Sequence, residues 1–210
     1  LAADPATRVL LVLGKPPGPQ ALRTILGSLG DAGKPAVVHF VGAEASVIQG
    51  AYRGNADLRV AGTLADAGSL AVSLSKGNAA STAPSLSPEL LAKVTAWARG
   101  KKGSRRKFLR GLYTGGTLCA EAQAILRKTL GTIHSNAPLV RADKLADPEA
   151  SLGHTVIDLG DDHFTQGRPH PMIEPSLREG RMLREAGDPE TAVILFDVVL
   201  GLGAHPDPGG

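Results

Sequence analysis

One cysteine, Cys119, stands in a chain of 210 residues. A single thiol excludes an intrachain disulfide and a thiolate zinc cluster, and it fits a reducing cytoplasm. Aromatic residues are also scarce, at 3%, so Val, Leu and Ala must fill the interior, which favours α/β packing over a β-sandwich. The same scarcity removes the stacking platforms on which single-stranded nucleic acid is bound. The one basic run, Lys101-Lys102-Gly103-Ser104-Arg105-Arg106-Lys107, has no recognition motif beside it and reads as a solvated linker, with no nucleic-acid partner. Long apolar runs are missing too. The longest, Ala192 to Gly203, is broken by Asp197 and glycines and is too short to span a bilayer, so no membrane partner is expected. What is plentiful is glycine, at 26, and proline, at 15, which implies many tight turns. With 42% hydrophobic and 20% charged residues, the chain suits one large or two small domains with real cores.

Apolar runs stopped by glycine, alternating with helical spacing, set the expected architecture. Arg8 to Gly14 reads as a buried parallel strand, Pro19 to Gly30 as a helix with Leu22, Ile25, Leu26 and Leu29 on one face, and Pro35 to Gly42 as a second strand. His39, inside that strand, reads as a satisfied core histidine. No periodicity organises Ala43 to Asn55, which is expected to be a loop with at most a helical turn. Leu58 to Ala61 is a third strand, and Thr63 is placed to cap a helix from Leu64 to Leu74. The small-residue and proline-rich stretch from Ala79 to Pro88 suits a domain boundary, with a further helix from Pro88 to Arg99. The reading is therefore a first unit over 1–80, a linker with a helix and the basic run over 81–107, and a second unit over 108–210.

The second unit opens with a strand, Phe108 to Thr114, and Gly115-Gly116-Thr117 turns directly into a helix, Leu118 to Leu130. Strand, glycine pair and helix together aim free backbone N–H groups and a positive dipole end at an anion. Glycine pairs also occur where strand and helix merely pack closely. Thr155 to Leu159 is the next strand, Pro175 to Gly187 an Arg/Glu-rich helix with Leu177, Met182 and Leu183 available to face inward and most of its charges solvated, and Ala192 to Leu200 the last strand. If these strands are parallel, their exits at Thr114 to Thr117, Gly160 to Asp162 and Gly201 to Asp207 share one sheet edge, where α/β sheets place ligands.

The densest chemistry follows the middle exit. Asp161, Asp162, His163, Arg168 and His170 fall within a few residues, and Pro169 and Pro171 hold Arg168 and His170 extended. The alternative is a proline-rich surface turn with chance charges. As a site, the cluster supplies a guanidinium that matches phosphate or carboxylate and an imidazole for proton transfer near neutrality. Asp161 and Asp162 can orient that imidazole, hold Mg²⁺ through water, or simply cap a turn; no metal ligand set is assigned. His205 and Asp207, beyond the last strand, are weaker candidates.

Four segments carry a family resemblance: Gly111 to Leu118, Val156 to Asp162, Gly167-Arg168-Pro169-His170-Pro171-Met172-Ile173, and Ile194 to Gly201. Together they resemble the FdrA family, relatives of succinyl-CoA synthetase with alpha-type and beta-type ligase domains in one chain. The resemblance runs over nearly all of Arg8 to Pro208. It implies two flavodoxin-like three-layer units with mostly parallel sheets, the first alpha-type and the second a beta-type CoA-ligase domain with Gly115, Gly116 and Thr117 at its phosphate-binding helix start. It also implies a fragment lacking the amino-terminal CoA-binding domain. Where synthetases of this superfamily carry a phosphorylated histidine in a Gly-His-Ala-Gly-Ala segment, this chain reads Gly42-Ala43-Glu44-Ala45-Ser46, and Lys15 replaces the acidic residue that orients it.

That combination implies a subunit that handles an acyl phosphate without a phosphoenzyme. FdrA-type proteins are associated with anaerobic allantoin breakdown, as one subunit of an oxamate carbamoyltransferase that phosphorolyses oxalurate to carbamoyl phosphate and oxamate. The expected substrate is a small anion, with phosphate or an acyl phosphate as reactant, no assigned cofactor, partner protein subunits and an oligomeric assembly. In this scheme Gly115, Gly116, Thr117 and Arg168 hold the anion and His170 moves the proton. An NDP-forming acyl-CoA synthetase and a non-catalytic scaffold subunit are the alternatives.

Overall fold

A computed structural model describes residues 1–78, 86–101 and 103–208. Residues 79–85 of the expected boundary stretch, Ala79 to Pro88, lie outside the described residues. The chain divides into two compact units, Leu1–Leu90 and Leu91–Gly210, the division falling within a helix, Pro88–Arg99.

In the first unit β1 (Leu10–Gly14), β2 (Ala36–Phe40) and β3 (Leu58–Val60) form a parallel sheet in the order β1-β2-β3. Alternation along the central strand explains the layers. Ala36, Val38 and Phe40 face α1 (Pro19–Asp31) and α2 (Ala45–Ala51), where they pack with Leu26, Leu29 and Ile48. Val37 faces the other way, toward Ala67, Leu70 and Leu74 of α3 (Leu64–Ser75). Thr63 caps α3 by accepting the Asp66 N–H at 3.0 Å, as its position predicts. His39 is buried with Nδ1 3.0 Å from the Ala61 carbonyl. The helix α2 was not expected. Its sequence, with Val47, Ile48 and Gly50, has weak helical propensity, and burial of Ile48 at 1% exposure supplies what propensity does not.

The second unit follows α4 (Pro88–Arg99) with another parallel sheet, ordered β5-β4-β6, from β4 (Phe108–Tyr113), β5 (Thr155–Asp158) and β6 (Thr191–Phe196). One face packs Tyr113 and Val156 against Cys119, Ala122 and Leu126 of α5 (Gly116–Leu130). The other packs Leu112, Ile157 and Ile194 against Phe164 of α6 (Asp162–Thr165) and Leu177 and Met182 of α7 (Ser176–Gly187). Each unit is thus an α/β sheet covered on both faces, as the alternating elements require.

Three expectations need correction. Most of the charges of α7 are not solvated: Arg178, Arg181 and Glu185 are buried, while Leu183, expected inside, is 69% exposed. The Arg/Glu pattern conceals a polar interior, because Glu185 pairs with Arg181 at 2.7 Å and with Arg110 of β4 at 2.9 Å. The basic run is not wholly a free linker, since Arg106 donates to the Thr191 carbonyl at 2.7 Å. Finally, β6 ends at Phe196 rather than Leu200, for a reason that lies in the side chain of Asp197.

Candidate functional site

All three strand exits of the second unit lie on one sheet edge, because β4 pairs in parallel with both β5 and β6. At the β4 exit Thr114 is buried, Gly115 occupies the N-cap of α5, and Gly116 and Thr117 open the helix. No side chain caps this helix. The first N–H groups of a helix have no intrahelical acceptor, and those of Gly116 and Thr117 carry no other hydrogen bond among the described residues. With Gly115 and Gly116 half-buried and Thr117 exposed, they form an accessible cluster of donors at the positive end of a helix of 15 residues.

The β5 exit is built more tightly. Asp158 is buried at the end of the strand, held by Asn136 from two sides: the Asn136 Nδ2 donates to the Asp158 carbonyl at 3.0 Å and its Oδ1 accepts the Asp158 N–H at 2.9 Å. Gln123 of α5 fixes the loop that carries Asn136, donating to Ser135 Oγ and the Ala137 carbonyl and accepting from the Leu139 N–H. Asp158 Oδ1 then accepts the Gly160 N–H at 3.0 Å. A Cβ on Gly160 would lie 2.6 Å from the Thr114 carbonyl oxygen, 2.7 Å from His170 Nε2 and 3.2 Å from Asp158 Oδ1. Gly160 is therefore the point where the β4 exit, the β5 exit and the imidazole meet, and only a residue without a side chain fits there.

His170 is half-buried, and its Nδ1 accepts the Met172 N–H at 3.2 Å. With Nδ1 an acceptor, the neutral ring carries its proton on Nε2, the atom that faces Gly160 and the β4 exit. Arg168 is exposed, and its guanidinium makes no hydrogen bond among the described residues. Nearby, the Glu174 carboxyl is held below the usual range, chiefly by the Ser176 hydroxyl and N–H and more weakly by His205 and Arg168.

Asp161 and Asp162 lie at the start of α6. Asp161 is the N-cap of α6, accepting the His163 N–H at 3.0 Å, and Asp162 is the exposed first residue of that helix. No hydrogen bond joins either to His170, so of the three roles open to them, capping is the one Asp161 fills. His163 is exposed beside Glu149, with 4.0 Å between Nε2 and Oε1, and sits edge-on to Phe164. Among the described residues no group of three or more His, Cys, Asp and Glu side chains could hold a metal ion.

Beyond β6 the chain returns to this edge. Asp197 Oδ1 accepts the Thr114 N–H at 2.9 Å and Oδ2 accepts the Thr114 hydroxyl at 2.9 Å. The His205 N–H donates to the Met172 carbonyl at 2.9 Å, which brings His205 beside the His170 turn, and exposed Asp207 donates its N–H to His205 Nδ1. Buried Arg178 ties the segment down through the carbonyls of Asp197 at 2.8 Å and Pro208 at 3.3 Å. Tyr113, beneath the exit, has its phenol pushed up to about 12 by burial first, then by Cys119 and Asp197.

Sequence reasoning missed Asn136, Asp158 and Asp197. An acid closing an apolar strand was a usable signal for the two aspartates; Asn136 gave none, because its partner is 22 residues away.

Comparison with known proteins agrees with this architecture. Residues 112–210 match the family model described as CoA-ligase. The chain is 36% identical over 211 residues to the uncharacterized protein YahF of Escherichia coli (strain K12). That alignment takes in the whole of this chain and 39% of the relative, so the chain spans about two fifths of that relative's length. No helix among the described residues is long and apolar enough to cross a membrane.

Proposed function

We propose, from the match of residues 112–210 to the CoA-ligase family model, that the chain is part of an FdrA-type, succinyl-CoA synthetase-related subunit. It transfers a carbamoyl or acyl group by way of an acyl phosphate. The observation that carries this reading is the open donor cluster of Gly116 and Thr117 on the same sheet edge as His170 Nε2, with Arg168 on the adjoining loop. Phosphate binds the N–H groups and the guanidinium, which suit its charge and its oxygen geometry. Written for oxalurate, a phosphate oxygen attacks the carbamoyl carbon and the bond from that carbon to the oxamate nitrogen breaks. In the same step His170 Nε2 hands its proton to the departing nitrogen as the phosphate hydroxyl proton replaces it, the ring staying neutral throughout, so that carbamoyl phosphate and oxamate leave.

One feature favours carbamoyl transfer over an NDP-forming acyl-CoA synthetase. The segment after β2 runs Gly42-Ala43-Glu44-Ala45-Ser46, with Glu44 at the N-cap of α2, and offers no histidine to phosphorylate.

The decisive experiment combines full-length protein with its partner subunits, oxalurate and phosphate, without nucleotide or CoA. Production of carbamoyl phosphate and oxamate is the expected result. Turnover that demands nucleotide and CoA, with an acid-labile phosphoenzyme, would replace this reading by acyl-CoA synthesis. Assembly that tolerates loss of both Arg168 and His170 without loss of rate would leave a scaffold.

A further inference from the structure

The Asp197 side chain replaces a stretch of sheet. In the β4–β6 ladder Leu112 stands opposite Phe196, and one residue further the main-chain pairing stops. From there the Asp197 carboxylate takes both the N–H and the hydroxyl of Thr114, at 2.9 Å each. Thr114 is 2% exposed and immediately precedes the N-cap Gly115. Its two donors, both claimed by one carboxylate, leave the Thr114 peptide a single orientation. The direction in which Gly115 and Gly116 leave the strand follows from it. Glycines have the widest conformational range of any residue, and neither of these is held by a side-chain cap, so the turn depends on what restrains its entry.

Asp197 is itself held. Arg178, 4% exposed on α7, donates to the Asp197 carbonyl at 2.8 Å and lies 5.8 Å over the Phe196 ring. The clamp therefore runs from the buried face of α7 through Asp197 and Thr114 to the first N–H groups of α5. A carboxylate next to an anion cradle is at first sight unfavourable, but both of its oxygens are turned onto Thr114 donors, which stabilise its charge behind the turn.

We propose that Asp197 is a positioning residue for anion binding. Acting through Thr114, it holds the Gly115-Gly116-Thr117 turn in the conformation that points its N–H groups at the ligand. This rests on the reading of that turn as the anion site. It assigns Asp197 no contact with substrate.

The test uses the 210-residue chain, with inorganic phosphate and carbamoyl phosphate as probes in calorimetry, and the amide NMR signals of Gly115, Gly116 and Thr117 without ligand. Asp197→Ala is expected to move those amide signals, to speed their hydrogen exchange, and to weaken phosphate binding by about tenfold or more, as the loss of charge-assisted bonds implies. Asp197→Asn, which keeps an acceptor for the Thr114 N–H, and Thr114→Val, which removes only the hydroxyl bond, fall between. A purely structural role would lower the melting temperature of Asp197→Ala while leaving the three amides and the affinity of the folded protein at wild-type values; that result overturns the proposal. If the wild-type chain binds neither probe, the anion reading fails. In that event movement of the amide signals in Asp197→Ala still supports the positioning role, and unmoved signals overturn it.

Discussion

The two ends of the second sheet carry similar side chains and use them oppositely. At the amino end Arg110 of β4, 3% exposed, pairs with Glu185 at 2.9 Å and with Asp188 at 2.7 Å, and also donates to the Gly153 carbonyl. Arg181 pairs with the same glutamate and donates to Pro148 and Ser151. At the carboxyl end the Arg168 guanidinium makes no hydrogen bond among the described residues, and two helix N–H groups stand open. A buried guanidinium with all three nitrogens hydrogen-bonded inside the fold is closed to a ligand, so the amino end is structural. The carboxyl end keeps its donors unspent, and there the ligand reading belongs. Richness in charge alone separates nothing; saturation does.

The largest expected effect is at the saturated end. Glu185→Ala leaves Arg110 and Arg181 facing each other without their shared carboxylate, and should cost about 3–5 kcal/mol in urea unfolding; a loss under about 1 kcal/mol would mean the network relaxes and the contrast between the ends is overstated. At the open end Arg168→Ala should leave stability within about 0.5 kcal/mol while weakening phosphate binding by about 1.5–3 kcal/mol, roughly 10- to 150-fold. Retained affinity in calorimetry would remove Arg168 from the site. Gly160→Ala sits where the exits meet. Because its methyl would press on the Thr114 carbonyl and His170 Nε2, a destabilisation of about 1–3 kcal/mol is expected, together with a displaced His170 ring signal in NMR; an unshifted ring would contradict the crowding at that point.

Acidification probes the saturated end more gently. His154 accepts the Leu109 N–H through Nδ1, and burial first, then neighbouring Arg110, hold its pKa below 6.5. A depressed histidine contributes stability that is present above the unfolded value and lost as pH falls through the folded one. Unfolding free energy should therefore decline as pH drops from about 7 toward 5, and His154→Gln should flatten that slope; an unchanged slope would acquit His154. The smallest effect belongs to Arg184 and Glu149, an exposed pair at 2.9 Å, whose loss in Arg184→Ala should cost no more than about 1 kcal/mol. A larger cost would extend the buried network to the surface.

Much of this was legible because it is local. Short apolar runs stopped by glycine marked β1, β2, β4 and β5, Thr63 marked the start of α3, and the order of strands and helices required parallel sheets covered on both faces. The same alternation placed the three exits on one edge and singled out Gly115, Gly116, Arg168 and His170. Roles that depend on a distant partner were not legible. Arg181 stands four residues before Glu185, but nothing near Glu185 shows that Arg110 buries it from the other side, nothing near Asn136 shows that it embraces Asp158, and Asp161 reads equally well as an orienter of the imidazole, a holder of Mg²⁺ through water or a cap until α6 is seen to start on it. Hydrophobic period and turn chemistry act over a few residues, so the sequence by itself determined the layers, the strand direction and the edge on which the candidate site lies. Which charges are saturated and which stay open is settled by contacts between residues tens of positions apart. Only the tertiary structure decided that Asp197 would reach Thr114, 83 residues away, and turn a pair of flexible glycines into a fixed donor cluster.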